Sequence, residues 1–346
     1  MNAKSKINIF RKKLRNLLFK ISPFKKTKEN IFNLDISQVK RILISRPNHR
    51  LGNILLLTPI VQELRNIFPN ASIDIVLKGN LGYVVFENYI QVSNIIKLEK
   101  KPFDNLFKYF IGWTEIFNKT YDIAISAGKK SSSGNIAIML SKAKYKFYNI
   151  ENQTLHLKER YFHNALNPIY NFRSVLLNSN DGLVFDSYPR LKINLRDYEI
   201  ENGSNILNKI FNNNKKTIGI FTYATGDKCF SKLWWNIFYR EIIKLEPEYN
   251  LLEILPKENV SQINFSLKTY YSNDIREISS VMHNLHLFIG ADSGLMHLAS
   301  ASNTQTIGLF NITEPEFYGV YGENNLSFNS KENSMLELFS EIDKMI

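Results

Sequence analysis

The chain has 346 residues, which exceeds one ordinary hydrophobic core and suits two domains. Its formal net charge is +12, 44% of its residues are hydrophobic, and no apolar run approaches the roughly 18–20 residues of a membrane-spanning helix. One cysteine, Cys229, excludes an internal disulfide framework. The basic start is not followed by the apolar core of a signal peptide, so we expect a cytoplasmic protein.

Residues 1–28 form a basic segment with ten Lys and Arg residues and no acid. Apolar side chains recur in it at intervals of three and four before Ser22-Pro23, which predicts an amphipathic helix. Such a helix suits an anionic membrane surface, the protein's own body or a nucleic acid. No zinc-finger, RRM or helix-turn-helix pattern supports a nucleic-acid partner. We therefore expect a peripheral protein on the inner face of the cytoplasmic membrane. The apolar residues are Ile7, Phe10, Leu14, Leu17, Leu18 and Ile21.

The first half of the body alternates strands with helices. Apolar runs predict strands over 41–45, 73–77 and 121–126, and residues 92–98 form another apolar stretch. The apolar spacing predicts one helix over 54–68. This alternation is typical of βαβ units around a parallel sheet. We predict an N-terminal α/β domain over residues 38–195.

A polar stretch over 178–216 interrupts this series, and a second one follows. Strands are predicted over 217–222, 251–255, 285–289 and 306–310, with helices over 234–245 and 275–282. We predict a second α/β domain over 205–330 and a C-terminal helix over 333–346. Two such domains bind ligand in the cleft between them, at the carboxyl ends of the strands.

The loop after the first strand, residues 46–53, is the first candidate site. Arg46 begins it, and Gly52 lets the backbone approach a substrate just before a helix. The alternative is a plain turn in which Asn53 caps the helix.

The second candidate site is the loop after the strand at 217–222. Its hydroxyls and lysines suit a diphosphate, because lysine supplies charge and hydroxyls supply directed donors. Solvated surface lysines are the alternative, and Trp234 and Trp235 more often pack in a core than stack on a ligand. The candidate binding residues are Thr222, Thr225, Lys228 and Lys232.

The third candidate site is the run Gly290–Ala301. An apolar strand ends at an Asp-Ser-Gly turn that begins a helix, and free N–H groups at a helix start attract anions. Asp292 or Ser293 can cap this helix, which needs no ligand. His297 lies one turn further and can face the same opening.

Other chemistries lack their patterns. No Gly-x-Gly-x-x-Gly follows a strand, no His/Cys cluster has zinc spacing, and no Asp-x-Asp follows a strand to hold a divalent ion. We therefore expect neither a metal nor a cofactor.

Together the three loops resemble glycosyltransferase family 9, the bacterial heptosyltransferase family of lipopolysaccharide synthesis. Arg46 through Gly52-Asn53 and Thr58-Pro59 resembles its opening motif, and Lys232-Leu233-Trp234 its Lys-x-Trp element. The resemblance covers about residues 40–325. Its most specific part is the Asp-Ser-Gly-x-x-His run, continued by Phe310, Thr313, Pro315 and Tyr321-Gly322.

The resemblance implies a GT-B fold, in which two Rossmann-like domains face a central cleft. The N-terminal domain over 38–195 would be the acceptor side, and the C-terminal domain over 205–330 would bind the nucleotide sugar. It implies an inverting, metal-independent transfer from a nucleotide sugar such as ADP-heptose to a glycolipid acceptor. The lysine and the helix start, with Ser293 and Gly294, would hold the donor's phosphates. Asp292 would meet sugar hydroxyls or cap the helix, because like charges repel.

One departure concerns catalysis. The family places a carboxylate, the presumed base, where this chain has Asn53, and an amide cannot take up a proton at neutral pH. Asn53 could orient the acceptor while His49 acts as the base, because histidine titrates near neutrality. Alternatively, catalysis rests on leaving-group stabilisation with the proton lost to water. The third explanation is a weakly active or silent nucleotide-sugar-binding paralogue.

Overall fold

The computed structural model describes residues 34–100, 106–128, 132–148, 163–177 and 187–346. The predicted amphipathic helix within residues 1–28 lies outside them. No helix of the described residues is long and apolar enough to cross a membrane.

The first sheet has five parallel strands in the order β3-β2-β1-β4-β5. Helices connect and cover them, as parallel crossovers require. The strands are β1 (Arg41–Ser45), β2 (Ser72–Lys78), β3 (Val92–Leu98), β4 (Thr120–Ser126) and β5 (Lys142–Phe147). The helices are α1 (Leu51–Leu55), α2 (Thr58–Ile67), α3 (Leu81–Val85), α4 (Leu106–Asn118), α5 (Ser132–Leu140) and α6 (Leu166–Leu177).

The second sheet has six parallel strands in the order β11-β10-β9-β6-β7-β8. Four of them, β6, β7, β9 and β10, are buried along their whole length because helices cover both faces. The strands are β6 (Thr217–Phe221), β7 (Asn250–Ile254), β8 (Lys268–Tyr270), β9 (Leu287–Ala291), β10 (Thr306–Phe310) and β11 (Leu326–Asn329). The helices are α7 (Asp197–Phe211), α8 (Lys232–Ile242), α9 (Ile275–His283), α10 (Gly294–Ala301), α11 (Pro315–Tyr318) and α12 (Met335–Met345).

The predicted α/β class with two parallel-sheet units is therefore confirmed. The residue ranges predicted for the two domains stay predictions. The C-terminal helix α12 buries Leu338 and Ile342 in the same core as Trp235 and Phe238, so it packs on the second sheet unit. Trp234 also packs in this core, partly buried and stacked on Phe238.

The single helix predicted over 54–68 is wrong, because α1 and α2 are separate. Pro59 has no N–H, and its ring would clash with the carbonyl of Leu55 in a continuous helix. The chain turns at Leu56 and Leu57, and the hydroxyl of Thr58 donates to that carbonyl oxygen at 2.8 Å.

The polar stretch over 178–216 contains the helix α7, which the sequence pattern did not predict. The helix ends at Asn212, which adopts the left-handed conformation with φ of 50°. Within it, Gly203 lies against the backbone carbonyl of Ser280 in α9, a contact that a larger residue would prevent. Close packing at Gly203, together with the apolar side chains of Leu207, Ile210 and Phe211, therefore holds this segment against its neighbours.

Arg276 joins the two sheet units. Its side chain is buried and donates to the carbonyl oxygen of Val84 in α3, at 3.2 Å, and of Asn194, at 3.0 Å. It also forms a two-pronged ion pair with Glu199 in α7, with distances of 2.5 and 2.7 Å. One side chain of α9 thus holds the first unit and the chain that connects the two units.

Candidate active site between the two sheets

The carboxyl ends of the two sheets face each other, and helices α1 and α10 meet between them. A Cβ at Gly52 would lie 2.7 Å from Cδ2 of His297, and a Cβ at Gly294 would lie 3.1 Å from Cβ of Leu51. Glycine on each helix therefore permits a closer approach than any other residue. The first and third candidate loops, which follow strands of different sheets, therefore lie against each other.

The start of α10 is capped by Ser293, whose hydroxyl oxygen accepts from the backbone N–H of Met296 at 3.3 Å. Of the two residues that the sequence left open as the cap, the structure selects Ser293. The other N–H groups of this first turn lie just after the carboxyl end of β9. This arrangement is suited to an anion.

Asp292 precedes the cap and is held by two side chains. Nζ of Lys228 lies 2.6 Å from its Oδ2, and the hydroxyl of Thr313 donates to the same oxygen in a very short hydrogen bond. Asp292 is 5% exposed, whereas the Lys228 side chain is one-third exposed. Three of the predicted binding residues therefore form one cluster beside the start of α10, and its ammonium group is the accessible part.

The other predicted residues of the second loop lie differently. Thr222 is fully buried, and its hydroxyl donates to Glu253 at 2.7 Å and accepts from the N–H of Gln262 at 3.1 Å. Thr225 and Lys232 are exposed, and Lys232 begins α8. In this conformation Thr222 stabilises its own domain, and Lys228 rather than Lys232 meets Asp292. The binding roles of Thr222, Thr225 and Lys232 stay predictions.

Arg46 follows β1 and is 6% exposed. One of its nitrogens, Nη2, donates to Oδ1 of Asn53 at 2.8 Å, and Nη1 donates to the carbonyl oxygens of Ala127 and Asn164, both at 3.4 Å. Burial lowers the pKa of Arg46 to about 10, so the guanidinium still carries its charge at neutral pH. Asn53 lies inside α1, whose capping residue is Arg50, so the N-cap alternative for Asn53 is wrong.

Two buried histidines flank Arg46. Burial, His163 and two nearby cations lower the pKa of His297 to about 3, although Asp292 opposes them. Nδ1 of His297 is buried and has no hydrogen-bond partner among the described residues. A protonated His297 would leave that N–H unsatisfied, so we infer a neutral ring.

His163 was not found from the sequence, because no motif surrounds it. Its Nδ1 accepts from the N–H of Ala165 at 3.2 Å, so the proton is on Nε2, which donates to the carbonyl oxygen of Gly319 at 3.1 Å. Its ring stacks on Tyr321 of the second unit. Burial lowers its pKa to about 4. With both nitrogens engaged, His163 holds the two units together as a neutral residue.

His49, the candidate base, lies exposed on the loop before α1. Partial burial and three neighbouring cations lower its pKa, which favours the neutral form that a base requires. The cations are Lys100, Arg50 and Lys78. No hydrogen bond joins His49 to Asn53 in the part of the chain that the structure describes, so a joint role stays a prediction.

No group of three or more His, Cys, Asp or Glu side chains within the described ranges could hold a metal ion. Positive charge at the site comes from Lys228, Arg46 and the start of α10.

Comparison with solved structures finds the same fold in three glycosyltransferases. The glycosyl transferase family 9 protein of Veillonella parvula is 17% identical, with a TM-score of 0.68 over 91% of this chain and 92% of that chain. The E. coli heptosyltransferase WaaC with ADP is 15% identical, with a TM-score of 0.62 over 88% of this chain and 100% of that chain. The iron-containing dodecameric glycosyltransferase TibC of E. coli is 12% identical, with a TM-score of 0.52 over 90% of this chain and 77% of that chain.

These neighbours confirm the GT-B architecture. A comparison with curated proteins finds no match. The family comparison matches residues 113–344, more than half of the chain, to glycosyltransferase family 9 (heptosyltransferase). The match includes the second and third loops, with the cluster of Lys228, Asp292 and Thr313. The chain therefore belongs to glycosyltransferase family 9, as its loop motifs indicate.

Proposed function

We propose that this glycosyltransferase transfers a heptose-like sugar from an ADP-linked donor to a hydroxyl group of a glycolipid acceptor, such as a lipopolysaccharide. The observation that carries the proposal is the cluster of Lys228, Asp292 and Thr313 beside the start of α10. The family's heptosyltransferase description and the E. coli WaaC structure with ADP support this choice of donor.

The cluster offers two kinds of group, one for the donor's diphosphate and one for its sugar. The N–H groups of α10 and the ammonium of Lys228 would bind the diphosphate, and they stabilise the negative charge that develops on it as it leaves. Asp292 cannot favour a phosphate directly, so its free oxygen would accept from sugar hydroxyls. The positive charge of Lys228 offsets the negative charge of the Asp292 carboxylate.

The proposed reaction is a single displacement with inversion. The acceptor oxygen forms a bond to the anomeric carbon while the bond from that carbon to the diphosphate oxygen breaks, with its electron pair leaving on the nucleotide. The acceptor proton passes to a base or to water. An NMR spectrum of the product would show the inverted anomeric configuration, and a retained configuration would refute the displacement.

We propose that this transfer needs no metal, because Lys228 and α10 supply the positive charge at the diphosphate. The fold neighbour TibC is iron-containing, so this proposal needs its own test. Activity should survive dialysis against a chelator and should not rise when iron or magnesium is returned. A loss that iron restores would refute it.

Asn53 favours a second candidate function, a silent nucleotide-sugar-binding paralogue. Its amide has no basic lone pair for the acceptor proton, and it already accepts a hydrogen bond from Arg46. The deciding experiment is calorimetric titration with ADP-heptose, followed by mass-spectrometric detection of a glycosylated lipid. Binding with turnover supports the enzyme, and binding without turnover on any acceptor supports the paralogue.

We propose further that residues 1–28 hold the protein on the cytoplasmic face of the membrane, near a lipid-linked acceptor. The support is their sequence: ten basic residues and an amphipathic apolar pattern. Co-sedimentation with vesicles that contain anionic lipid should fall sharply when these residues are deleted. Unchanged sedimentation would refute the anchor and leave the transfer proposal standing.

A further inference from the structure

Arg46 differs from the other buried arginines of the described chain. Arg173 meets the carboxylate of Glu63 at 2.6 Å, and Arg276 meets that of Glu199 at 2.5 Å. Arg46 is equally buried, yet its three acceptors are two carbonyl oxygens and one amide oxygen. No carboxylate among the described residues neutralises it. A buried charge without a counter-ion is costly, so this position is suited to an anion that the described residues do not supply.

Asn53 explains why the charge is unpaired. An aspartate at this position would accept the same hydrogen bond from Arg46 and neutralise it, as Glu63 neutralises Arg173. With the amide of Asn53, the two side chains together carry one more unit of positive charge than arginine and aspartate would. Because Oδ1 of Asn53 accepts from Arg46, its NH₂ group is the part left to bind a ligand. Arg46 and Asn53 thus offer N–H donors, which is the chemistry that recognises an oxyanion.

The surroundings preserve this positive charge. His163 and His297 are neutral, for the reasons given above, and Asp292 is already held by Lys228 and Thr313. Asn53 is half-buried and belongs to α1, the helix that contacts α10 through Gly52. An anion that reaches this contact would meet the amide beside the guanidinium charge.

We infer that Arg46 and Asn53 form an oxyanion subsite, in which an acidic group of a substrate takes the place of the missing protein carboxylate. The inference rests on the proposed function, because it concerns the same cleft. The oxyanion could belong to the donor diphosphate or to an acid on the acceptor sugar. The chemistry of recognition is the same in both cases, and the experiment below separates them.

The test uses Asn53→Asp, which nearly preserves shape and adds one negative charge beside Arg46. The matched control is Asn53→Ala, which removes the amide without adding charge. Affinity is measured by calorimetry for ADP, and for glucuronate and glucose on ADP-saturated protein. Arg46→Gln removes the charge outright but risks unfolding the first unit, so Asn53→Asp is the primary variant and melting temperatures are recorded for both.

We expect Asn53→Asp to lower the affinity for one of the two anions, ADP or glucuronate, at least tenfold. Asn53→Ala should change the same affinity by less than about threefold. A loss confined to ADP assigns the subsite to the donor diphosphate, and a loss confined to glucuronate assigns it to an acidic acceptor. The affinity for glucose, which carries no charge, should be the same in Asn53→Asp and in the wild type. If Asn53→Asp leaves both anions unchanged, or if the wild type binds neither, the inference is overturned. If the wild type binds anions but transfers no sugar, the proposed function fails while the subsite stands.

Discussion

Nζ of Lys228 lies 2.6 Å from Oδ2 of Asp292, and this ion pair joins the loop after β6 to the end of β9. Asp292 is 5% exposed, so the pair is held in a largely desolvated position where geometry is well defined. The lysine is thereby fixed at the opening of the cleft. A phosphate would find an oriented ammonium there and not a freely moving surface lysine.

We expect Lys228→Ala to weaken ADP binding by about tenfold to a hundredfold, because it removes a charge-assisted contact and leaves Asp292 as an unpaired anion facing the phosphates. Isothermal titration with ADP measures the effect. Lys232→Ala should weaken ADP binding less, because this lysine is exposed and contacts no acidic side chain among the described residues.

Lys244→Ala is the matched control for this series. Lys244 is also a lysine of the second unit, exposed and paired with Glu241 on the surface. It should bind ADP as the wild type does. If Lys232→Ala lowers the affinity for ADP more than Lys228→Ala does, the phosphate contact belongs to Lys232 of the Lys-x-Trp element.

Gly52→Ala tests the close contact of α1 and α10. The new Cβ would lie 2.7 Å from the His297 ring, which is buried and cannot swing away. We expect the melting temperature to fall and sugar transfer to drop at least tenfold, because the two helices must separate. Differential scanning calorimetry and a transfer assay measure the two effects.

The double variant Gly52→Ala with His297→Ala separates crowding from other causes. Removing the imidazole makes room for the methyl group, so the double variant should melt above Gly52→Ala alone. If the double variant loses as much melting temperature as Gly52→Ala and His297→Ala lose together, the contact between the two residues is contradicted.

His163 predicts a loss of stability in mild acid. Its pKa is near 6.5 when unfolded and about 4 when folded, so the unfolded state binds more protons between these values. Stability is fully present above pH 6.5 and declines as the pH falls towards 4, by about 3 kcal/mol at most. Denaturant unfolding at pH 7.5, 5.5 and 4.5 measures the slope.

His163→Gln removes this titration, and an amide can still donate to the carbonyl oxygen of Gly319. Carboxylates contribute to the slope in both proteins, so the comparison is the difference between them. The variant should lose less stability than the wild type over pH 6.5 to 4.5. Equal slopes would mean that His163 is not buried as a neutral residue.

Arg276→Gln should destabilise the protein by about 3–5 kcal/mol, because it leaves Glu199 without its partner in a mostly buried position and breaks the contacts to the first unit. Arg190 forms a comparable pair with Glu323, but both side chains are more than half exposed. Arg190→Gln should therefore cost only about 0.2–1 kcal/mol. Urea unfolding of both variants makes the comparison, and equal losses would refute the joining role of Arg276.

The sequence predicts the sheets well because buried parallel strands are short apolar runs between polar loops. The strands over 41–45 and 306–310 match the structure to the residue. The break before Pro59 could have been predicted from proline geometry, but the apolar spacing of 54–68 outweighed it. The helix α7 was missed because the Asn and Asp residues of 178–216 indicated a loop, although Leu207, Ile210 and Phe211 recur at helical spacing and pack against the core.

The same limit applies to the site. Arg46, Gly52 and the Asp-Ser-Gly run were found because each follows a strand, where a cleft is expected. The roles of His163 and Arg276 arise from partners more than eighty residues away in the chain, such as Gly319 and Val84. The choice of Lys228 over Lys232 also depends on tertiary structure, since both suit a phosphate.

Helix α7 has a consequence for how the chain could be divided. It spans the region between residues 195 and 205, where the predicted domains part, and Gly203 packs directly on the backbone of α9. The passage between the two halves is thus a helix that packs on α9 along one face, through Gly203 and Leu207. A chain severed within α7 would leave the facing surface of α9 uncovered, so we expect neither half to be complete without this helix.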